Sequence, residues 1–324
     1  MKIKTSVENL KKYKIYLAVE KAVHEFLQKR GYLKVDLPVL SPALIPESYL
    51  EVFETRFEYL KKRQKLYLTP SPELFLKRLL VAGVGNCYYL GKAFRNSDRG
   101  SSLHSFEFTM LEFYKVGVTY MEIADEVLEM LQFIADKLKN KNPKFNNWEK
   151  ISVSEAFEKY ACISRNELFN HKLFLNKAEK KGYSTRGFSY EDIFSQIYTQ
   201  EIEPKLGIGF PTLIYNYPKE FAALAKPNPD GKTAQRFEFY INGIELGDCY
   251  TELTDWKEQE RRFKEEERKR KNDKKINHPI DTGFIKALQY GLADCAGIAI
   301  GFDRLAMIFA GVDSIEKLKL INVS

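Results

Sequence analysis

This 324-residue chain has only four cysteines, and they are scattered: Cys87, Cys162, Cys249 and Cys295. That spacing excludes a zinc ribbon and a disulfide framework, and it reads as reduced, intracellular thiols without a structural metal. The opening "MKIKTSVENLKKYK" lacks the apolar centre of a signal peptide. No run reaches the roughly 18 apolar residues of a membrane span, so a cytoplasmic protein is expected. Two nucleotide-binding signatures are also missing. There is no G-x-x-x-x-G-K-[ST] and no strand-linked G-x-G-x-x-G, which excludes a P-loop and a Rossmann site. An ATP site would have to be built another way. Internal repeats and low-complexity segments are absent as well.

What is present fits a globular protein with a large core: 44% hydrophobic residues and 14% aromatics. The 51 basic and 44 acidic residues leave a charge of +7, a mild excess that suits an anionic ligand without requiring a nucleic acid. A helix is expected from the cap Ser6 through the stripe Val19, Val23, Phe26 and Leu27 to Gly31. The alternation of Leu33, Val35 and Leu37 predicts a strand that stops at Pro38. "TPSPELFLKRLLVAG" is a punctuated helix, with Ser71 as cap, Pro72 and Glu73 in the first turn and Gly83 at the end. "CYYLGKAFR" and "HSFEFTMLEFY" read as two strands of one antiparallel hairpin, and residues 120–140 as an amphipathic helix. Residues 140–205, looser and mostly helical, read as an insertion within a single 1–324 domain. Asn242-Gly243 marks a tight hairpin. "KEQERRFKEEERKRKNDKK" is a charged helix whose interspersed acids favour a solvated face over a nucleic-acid patch. Strands far apart in sequence imply an α+β protein built on a large antiparallel sheet.

The strand "HSFEFTMLEFY" carries two acids, Glu107 and Glu112, among residues that favour burial. A buried carboxylate is costly unless something pairs with it. Alternation places Phe108, Met110, Glu112 and Tyr114 on one face, and Glu107, Thr109, Leu111 and Phe113 on the other. An aromatic plate, a carboxylate and a phenol in a row suit a flat ring and an amine. The alternative is an edge strand with solvated acids. Elsewhere, Arg95 and Arg304 stand at the ends of glycine-bearing strands. Glu245 and Glu252 are seven residues apart, and share a face only across a bulge, for which Gly247 is suited. Paired acids hold Mg²⁺ against phosphates, and arginines neutralise departing pyrophosphate.

"GYLKVDLPVL", "FRNSDRGSSLHSFEFTMLEFY" and "GIAIGFDRLAM" resemble motifs 1, 2 and 3 of the class II aminoacyl-tRNA synthetases, in order. Three such motifs span residues 31 to 310. "SPELFLKRLLVAG", "EFTMLEFY" and "ELGDCYTELTD" resemble the lysyl branch. "SPE", "ELTD" and "LADCAGIAIG" resemble more closely its stand-alone paralogues that modify elongation factor P. The resemblance implies the class II catalytic fold and no anticodon-binding domain. It implies use of ATP and Mg²⁺ to activate a lysine-like amino acid, with (R)-β-lysine expected, as an acyl-adenylate. Elongation factor P would then accept the acyl group. It also implies a homodimer that acts neither on tRNA nor at a membrane.

Residue by residue, it implies that Arg95 holds the α-phosphate and substrate carboxylate, and that His104 and Arg304 meet the terminal phosphates. Phe108 would stack on adenine, with Arg304 on its other side. Glu107 would contact the adenine edge, and Asp98 would serve ATP. Glu245 and Glu252 would bind Mg²⁺, and Glu252 would also face the substrate with Ser71, Glu73, Glu112, Tyr114 and Ala299. For each acid the competing reading is an internal salt bridge, and for Tyr114 a plain core position. The chain departs from the family pattern in three places. Ser97 replaces a glutamate, with Asp98 following. Leu103 replaces a basic residue, although Arg99 is close in sequence. Asp248-Cys249 replaces an asparagine-glycine pair. Two other functions are compatible with these residues: a truncated synthetase that charges tRNA or makes free adenylates, and a non-catalytic paralogue that binds ATP or an amino acid.

Overall fold

A computed structural model describes residues 2–96, 101–139, 145–273 and 275–323. Asp98, with Ser97 and Arg99, lies outside the described residues. Among those described, one eight-stranded sheet dominates. Across it the strands run Leu33–Lys34, Cys87–Phe94, Glu107–Val116, Cys295–Gly301, Ile244–Thr251, Arg236–Ile241, Thr212–Tyr215 and Glu149–Ser152. The centre is antiparallel, as the sequence predicts, but both edges are parallel pairs, so the sheet is mixed. The predicted first strand shrinks to Leu33–Lys34 before Pro38. The Leu33 and Val35 amides still donate to the carbonyls of Asn86 and Tyr88. A three-stranded sheet (residues 40–41, 54–59 and 62–68) and a two-stranded one (3–5 with 321–323) complete the β-structure among the described residues.

The two faces of the large sheet differ in chemistry. Leu111, Phe113, Phe237, Phe239, Ile298 and Ile300 point to one side. There they meet the helices Leu10–Lys29, Tyr120–Lys137 and Phe302–Ala310. The predicted stripe Val19, Val23, Phe26 and Leu27 is at most 1% exposed. The helix itself starts at Leu10 after a 3₁₀ turn, and the Ser6 side chain makes no cap bond. Gly31 takes a positive φ just past its end. On the opposite face the helices Glu73–Val81, Trp256–Asn272 and Thr282–Gln289 cover only part of the sheet. The uncovered part of this face carries the polar residues.

The segment that follows residue 145 begins on the sheet's far edge. Its strand Glu149–Ser152 pairs with Thr212–Tyr215, and the helices that follow bury Phe157, Phe174, Phe194 and Ile197 against Ile214 and Tyr240. The charged helix Trp256–Asn272 is capped by Asp255, which accepts from the amides of Lys257 and Glu258. Its acids and bases pair within the helix, Arg262 with Glu258, Lys264 with Glu260 and Lys271 with Glu267. That is the pattern of a solvated helix face rather than a basic stripe. Among the described residues no helix is long and apolar enough to cross a membrane.

Candidate active site

Register fixes which side chains share the open face, because directly opposed residues point the same way. One row across the sheet reads Tyr89, Glu112, Ala299, Asp248, Glu238. The next reads Cys87, Tyr114, Gly297, Tyr250, Arg236. Phe108 and Met110 continue the first face toward the chain's Arg95 end, as alternation predicts. The Ile244–Thr251 strand slips by one residue opposite Phe239 and Tyr240. This bulge returns Glu245 to the face that carries Asp248 and, one step beyond the strand, Glu252. Two glycines make the rows possible. A Cβ on Gly247 would lie 2.3 Å from the Ala299 carbonyl oxygen, and one on Gly297 would lie 2.2 Å from the Tyr114 ring.

At one end of this face is a cleft of about 170 Å³ lined by Arg95, His104, Phe108, Glu245, Asp248, Ala299 and Arg304, among others. Arg95 places its guanidinium 5.3 Å from the centre of the Phe108 ring. Its buried Nε has no hydrogen-bond partner among the described residues. Arg304 donates to the Glu245 carbonyl at 2.9 Å and to the Leu103 carbonyl at 3.2 Å, and it contacts His104 Nε2. Its ion pair with the Glu245 carboxylate is 3.4 Å. Arg304 sits in the first turn of a helix, where a cation opposes the helix dipole. Local helix energetics therefore do not account for it, whereas an anion in the cleft would. A wider depression of about 410 Å³ beside the edge strand Glu149–Ser152, lined by Glu149, Glu155 and Lys159, is open surface.

At the other end is a closed cluster of Glu73, Glu112, Glu252, Lys77 and Tyr114, each at most 8% exposed. Lys77 forms ion pairs with both Glu73 and Glu252. The Tyr114 hydroxyl donates to Glu112 at 2.9 Å. Beyond the ion pair with Lys77, neither oxygen of Glu252 has a hydrogen-bond partner among the described residues. Burial, then Glu73, pushes the Glu112 carboxyl well above its ordinary range. Burial likewise pushes Glu252 up to about 8, against the pull of Lys77. Burial alone would lower Lys77, but Glu252 and Glu73 outweigh it and raise the ammonium. Three carboxylates thus share one ammonium, leaving room for added positive charge.

The expected residues fall into three groups. Arg95, His104, Phe108, Glu245, Ala299 and Arg304 meet at the cleft, while Glu73, Glu112, Tyr114 and Glu252 meet in the acid cluster. Ser71 stands at the start of the helix Glu73–Val81, its Oγ accepting from the Glu73 amide at 3.1 Å. Glu107 belongs to neither group. It lies on the opposite face, half exposed, and pairs with Lys92 at 3.2 Å. The structure sets the two expected metal acids, Glu245 and Glu252, apart from each other. Glu252 pairs with Lys77 in the acid cluster, whereas Glu245 lines the cleft; Glu238 and Glu203, both raised first by burial, lie within electrostatic reach of Glu245. Among the described residues no three His, Cys, Asp or Glu form a metal cluster. Mg²⁺ needs only one or two carboxylates when phosphates supply the rest, and the Glu245 side chain, 37% exposed at the cleft, fits that requirement. Lys77 and Glu238 were missed by sequence reasoning. The i, i+4 spacing of Glu73 and Lys77 was the one available signal.

The tRNA synthetases class II (D, K and N) family matches residues 3–321. A protein of Yersinia enterocolitica serotype O:8 / biotype 1B named elongation factor P--(R)-beta-lysine ligase is 36% identical over 306 residues, 92% of this chain and 91% of its own length. A protein of Vibrio cholerae serotype O1 with the same name is 38% identical over 304 residues, 91% of this chain and 90% of its own.

Proposed function

From the premise that the chain belongs to the class II tRNA synthetase family of the D, K and N type, we propose that it is an ATP-dependent ligase. It activates a diamino acid, (R)-β-lysine, and transfers it to a lysine side chain of elongation factor P. The observation that carries the amino-acid assignment is the charge imbalance in the acid cluster. Glu73, Glu112 and Glu252 face one internal cation, Lys77. A buried unmatched carboxylate is costly, and a substrate with two ammonium groups supplies what is lacking. The names of the two relatives support the same substrate and acceptor.

In the first step an oxygen of the amino-acid carboxylate attacks the α-phosphorus of ATP. The bond from that phosphorus to the bridging oxygen breaks and pyrophosphate leaves. Arg95, beside Phe108, holds the carboxylate and α-phosphate in line. Arg304 and His104 meet the phosphates that depart, and Phe108 stacks on the adenine. Glu245, with Glu238 behind it, would hold a divalent ion, which neutralises phosphate charge when bound. In the second step the acceptor's neutral ε-amine attacks the acyl carbon, the bond to AMP breaks, and the amine loses a proton. Leu33 and Leu40, 54% and 41% exposed, would be covered in a two-fold dimer.

The test is ATP–pyrophosphate exchange with a panel of amino acids, followed by intact mass of elongation factor P after incubation. The expected result is exchange with β-lysine and a mass gain of one lysyl residue on elongation factor P. Exchange followed by acylation of tRNA alone would favour the synthetase reading. Absence of exchange with every amino acid would favour a non-catalytic binder.

A further inference from the structure

The strand Glu107–Val116 outlasts one of its neighbours. Its ladder with Cys295–Gly301 ends at the pair Met110 and Gly301, whereas its ladder with Cys87–Phe94 continues to Glu107 opposite Phe94. At Gly301 the chain leaves the sheet and enters the helix Phe302–Ala310. Thr109 is the first residue beyond that last rung, and its amide points to the side where the partner strand has ended. Thr109 is 8% exposed, and a buried amide without an acceptor is costly. Asp303 supplies the acceptor: its Oδ2 accepts from the Thr109 N–H at 2.9 Å. A side chain thus adds one rung where the backbone ladder stops.

Asp303 is 4% exposed and stands in the first turn of its helix. An acid there suits the helix dipole wherever it points, so the dipole accounts for its charge and not for its direction. Gly301, before the helix, offers no side-chain cap, yet Asp303 turns across to the strand. Tyr16, on the helix Leu10–Lys29, closes the joint from the other side. Its hydroxyl donates to Thr109 Oγ1 at 3.1 Å, and its ring meets Phe302 edge-on at 5.0 Å.

Both ends of the rung have a neighbour in the cleft. Phe108 precedes Thr109, Arg304 follows Asp303, and all four residues line the cleft. We infer that Asp303 is a positioning residue, whose hydrogen bond to the Thr109 amide sets the spacing between Phe108 and Arg304. The inference rests on the function proposed above, in which one ATP molecule touches both. The ladder carries the chain only as far as Gly301. The rung fixes the direction in which the chain leaves it, and so where Arg304 stands relative to Phe108. The Arg304 head is tied to the Glu245 and Leu103 carbonyls, and neither bond reaches the strand that carries Phe108.

Asp303→Ala removes the rung and leaves the Thr109 amide without its acceptor. In exchange assays it should raise the KM for ATP roughly ten- to a hundredfold. The KM for β-lysine should stay unchanged, because the acid cluster lies at the other end of the face. Asp303→Asn keeps an oxygen that accepts from the Thr109 amide, and should stay within a few-fold of wild type. Asp303→Glu keeps charge and acceptor but lengthens the rung by one carbon, so it should raise the ATP KM as well. Tyr16→Phe loosens the same joint without touching the rung; it should lower the melting temperature and leave the ATP KM where it was. Calorimetric titration with ATP should rank the affinities in the same order without turnover. If Asp303→Ala does not fold, the Asn and Glu variants decide. An ATP KM unchanged in Asp303→Glu, Asp303→Asn as impaired as Asp303→Glu, or a β-lysine KM that rises in parallel would each overturn the assignment of Asp303 alone. Wild-type protein that exchanges with no amino acid would remove the function on which the inference rests, and the inference with it.

Discussion

Lys77 and Glu252 form an ion pair from which water is excluded, their side chains being 3% and 0% exposed. The lysine comes from the helix Glu73–Val81 and the acid from the end of a central strand, so the pair joins a helix to the sheet. Removing one partner of a buried pair leaves an uncompensated charge and typically costs about 3–5 kcal/mol. Lys77→Met should therefore destabilise the protein by an amount of that order. The double variant Lys77→Met, Glu252→Gln should recover part of the loss, because it removes the Glu252 charge and leaves only Glu73 without its cation. Denaturant unfolding of the three proteins measures this; additive losses would show that the pair does not couple.

Glu252 also sets a direction for pH. Its carboxyl is raised from an ordinary 4.5 to about 8 by burial, so between those values the folded protein keeps a proton that the unfolded chain has lost. The stability this provides is complete below 4.5 and is lost as pH rises through about 8. Glu112 is raised for the same reason and adds in the same direction. The melting temperature of the ligand-free protein should fall from pH 5 to pH 8, and Glu252→Gln should fall less steeply. A bound ammonium favours the ionised carboxylates, so binding of β-lysine at pH 7 should release protons. Calorimetry in buffers of different ionisation enthalpy reads that release directly, and proton uptake would contradict the ammonium assignment.

Arg304 is tied to the Glu245 and Leu103 carbonyls, so its guanidinium is already oriented before any anion arrives. A preorganised cation in a dry cleft contributes on the order of 3–4 kcal/mol to stabilising developing charge. Arg304→Ala should reduce pyrophosphate exchange by a factor of about a hundred or more, while circular dichroism and melting stay close to wild type. Exchange near the wild-type rate would remove Arg304 from phosphate binding.

The segment that carries Leu33 and Leu40 leaves these two leucines about half exposed beside Pro38, an edge where the sheet has only a two-residue parallel strand. A two-fold partner laid along this edge would cover them with a self-complementary interface. Sedimentation at micromolar concentration should give a dimer, and Leu33→Lys with Leu40→Lys should give a monomer. A wild-type monomer at that concentration would exclude the arrangement.

Much of this site could be read from strand alternation. Phe108, Met110, Glu112 and Tyr114 do share a face, and the bulge before Gly247 does carry Glu245 to the face of Asp248. The same alternation put Glu107 on the far face, and there it pairs with Lys92. Its expected adenine contact came from family likeness, against the local geometry. The parallel edges were hidden because strands of two and four residues are too short to show a period. Lys77 was hidden because a lysine on an amphipathic helix ordinarily faces water, and only the tertiary fold turns it inward.

Ala299 gives the most specific test of substrate choice. It lies in the row between Glu112 and Asp248, and its side chain borders the cleft that holds Arg95. Its methyl group therefore stands between the acid cluster and the position proposed for the reacting carboxylate. α-Lysine carries its near amine next to the carboxylate, and β-lysine carries it one carbon further on. A methyl at this point crowds the first and leaves the second free. Discrimination by one methylene-sized group amounts to about 1–3 kcal/mol, so Ala299→Gly should improve α-lysine activation roughly ten- to a hundredfold and change β-lysine activation little. If Ala299 only packs between its neighbours, the substitution would weaken the strand and shift both substrates alike, since glycine in a strand interior lowers stability. Exchange rates with the two amino acids, measured on both proteins, separate these outcomes. A substrate ratio that does not move would place Ala299 outside the discriminating wall.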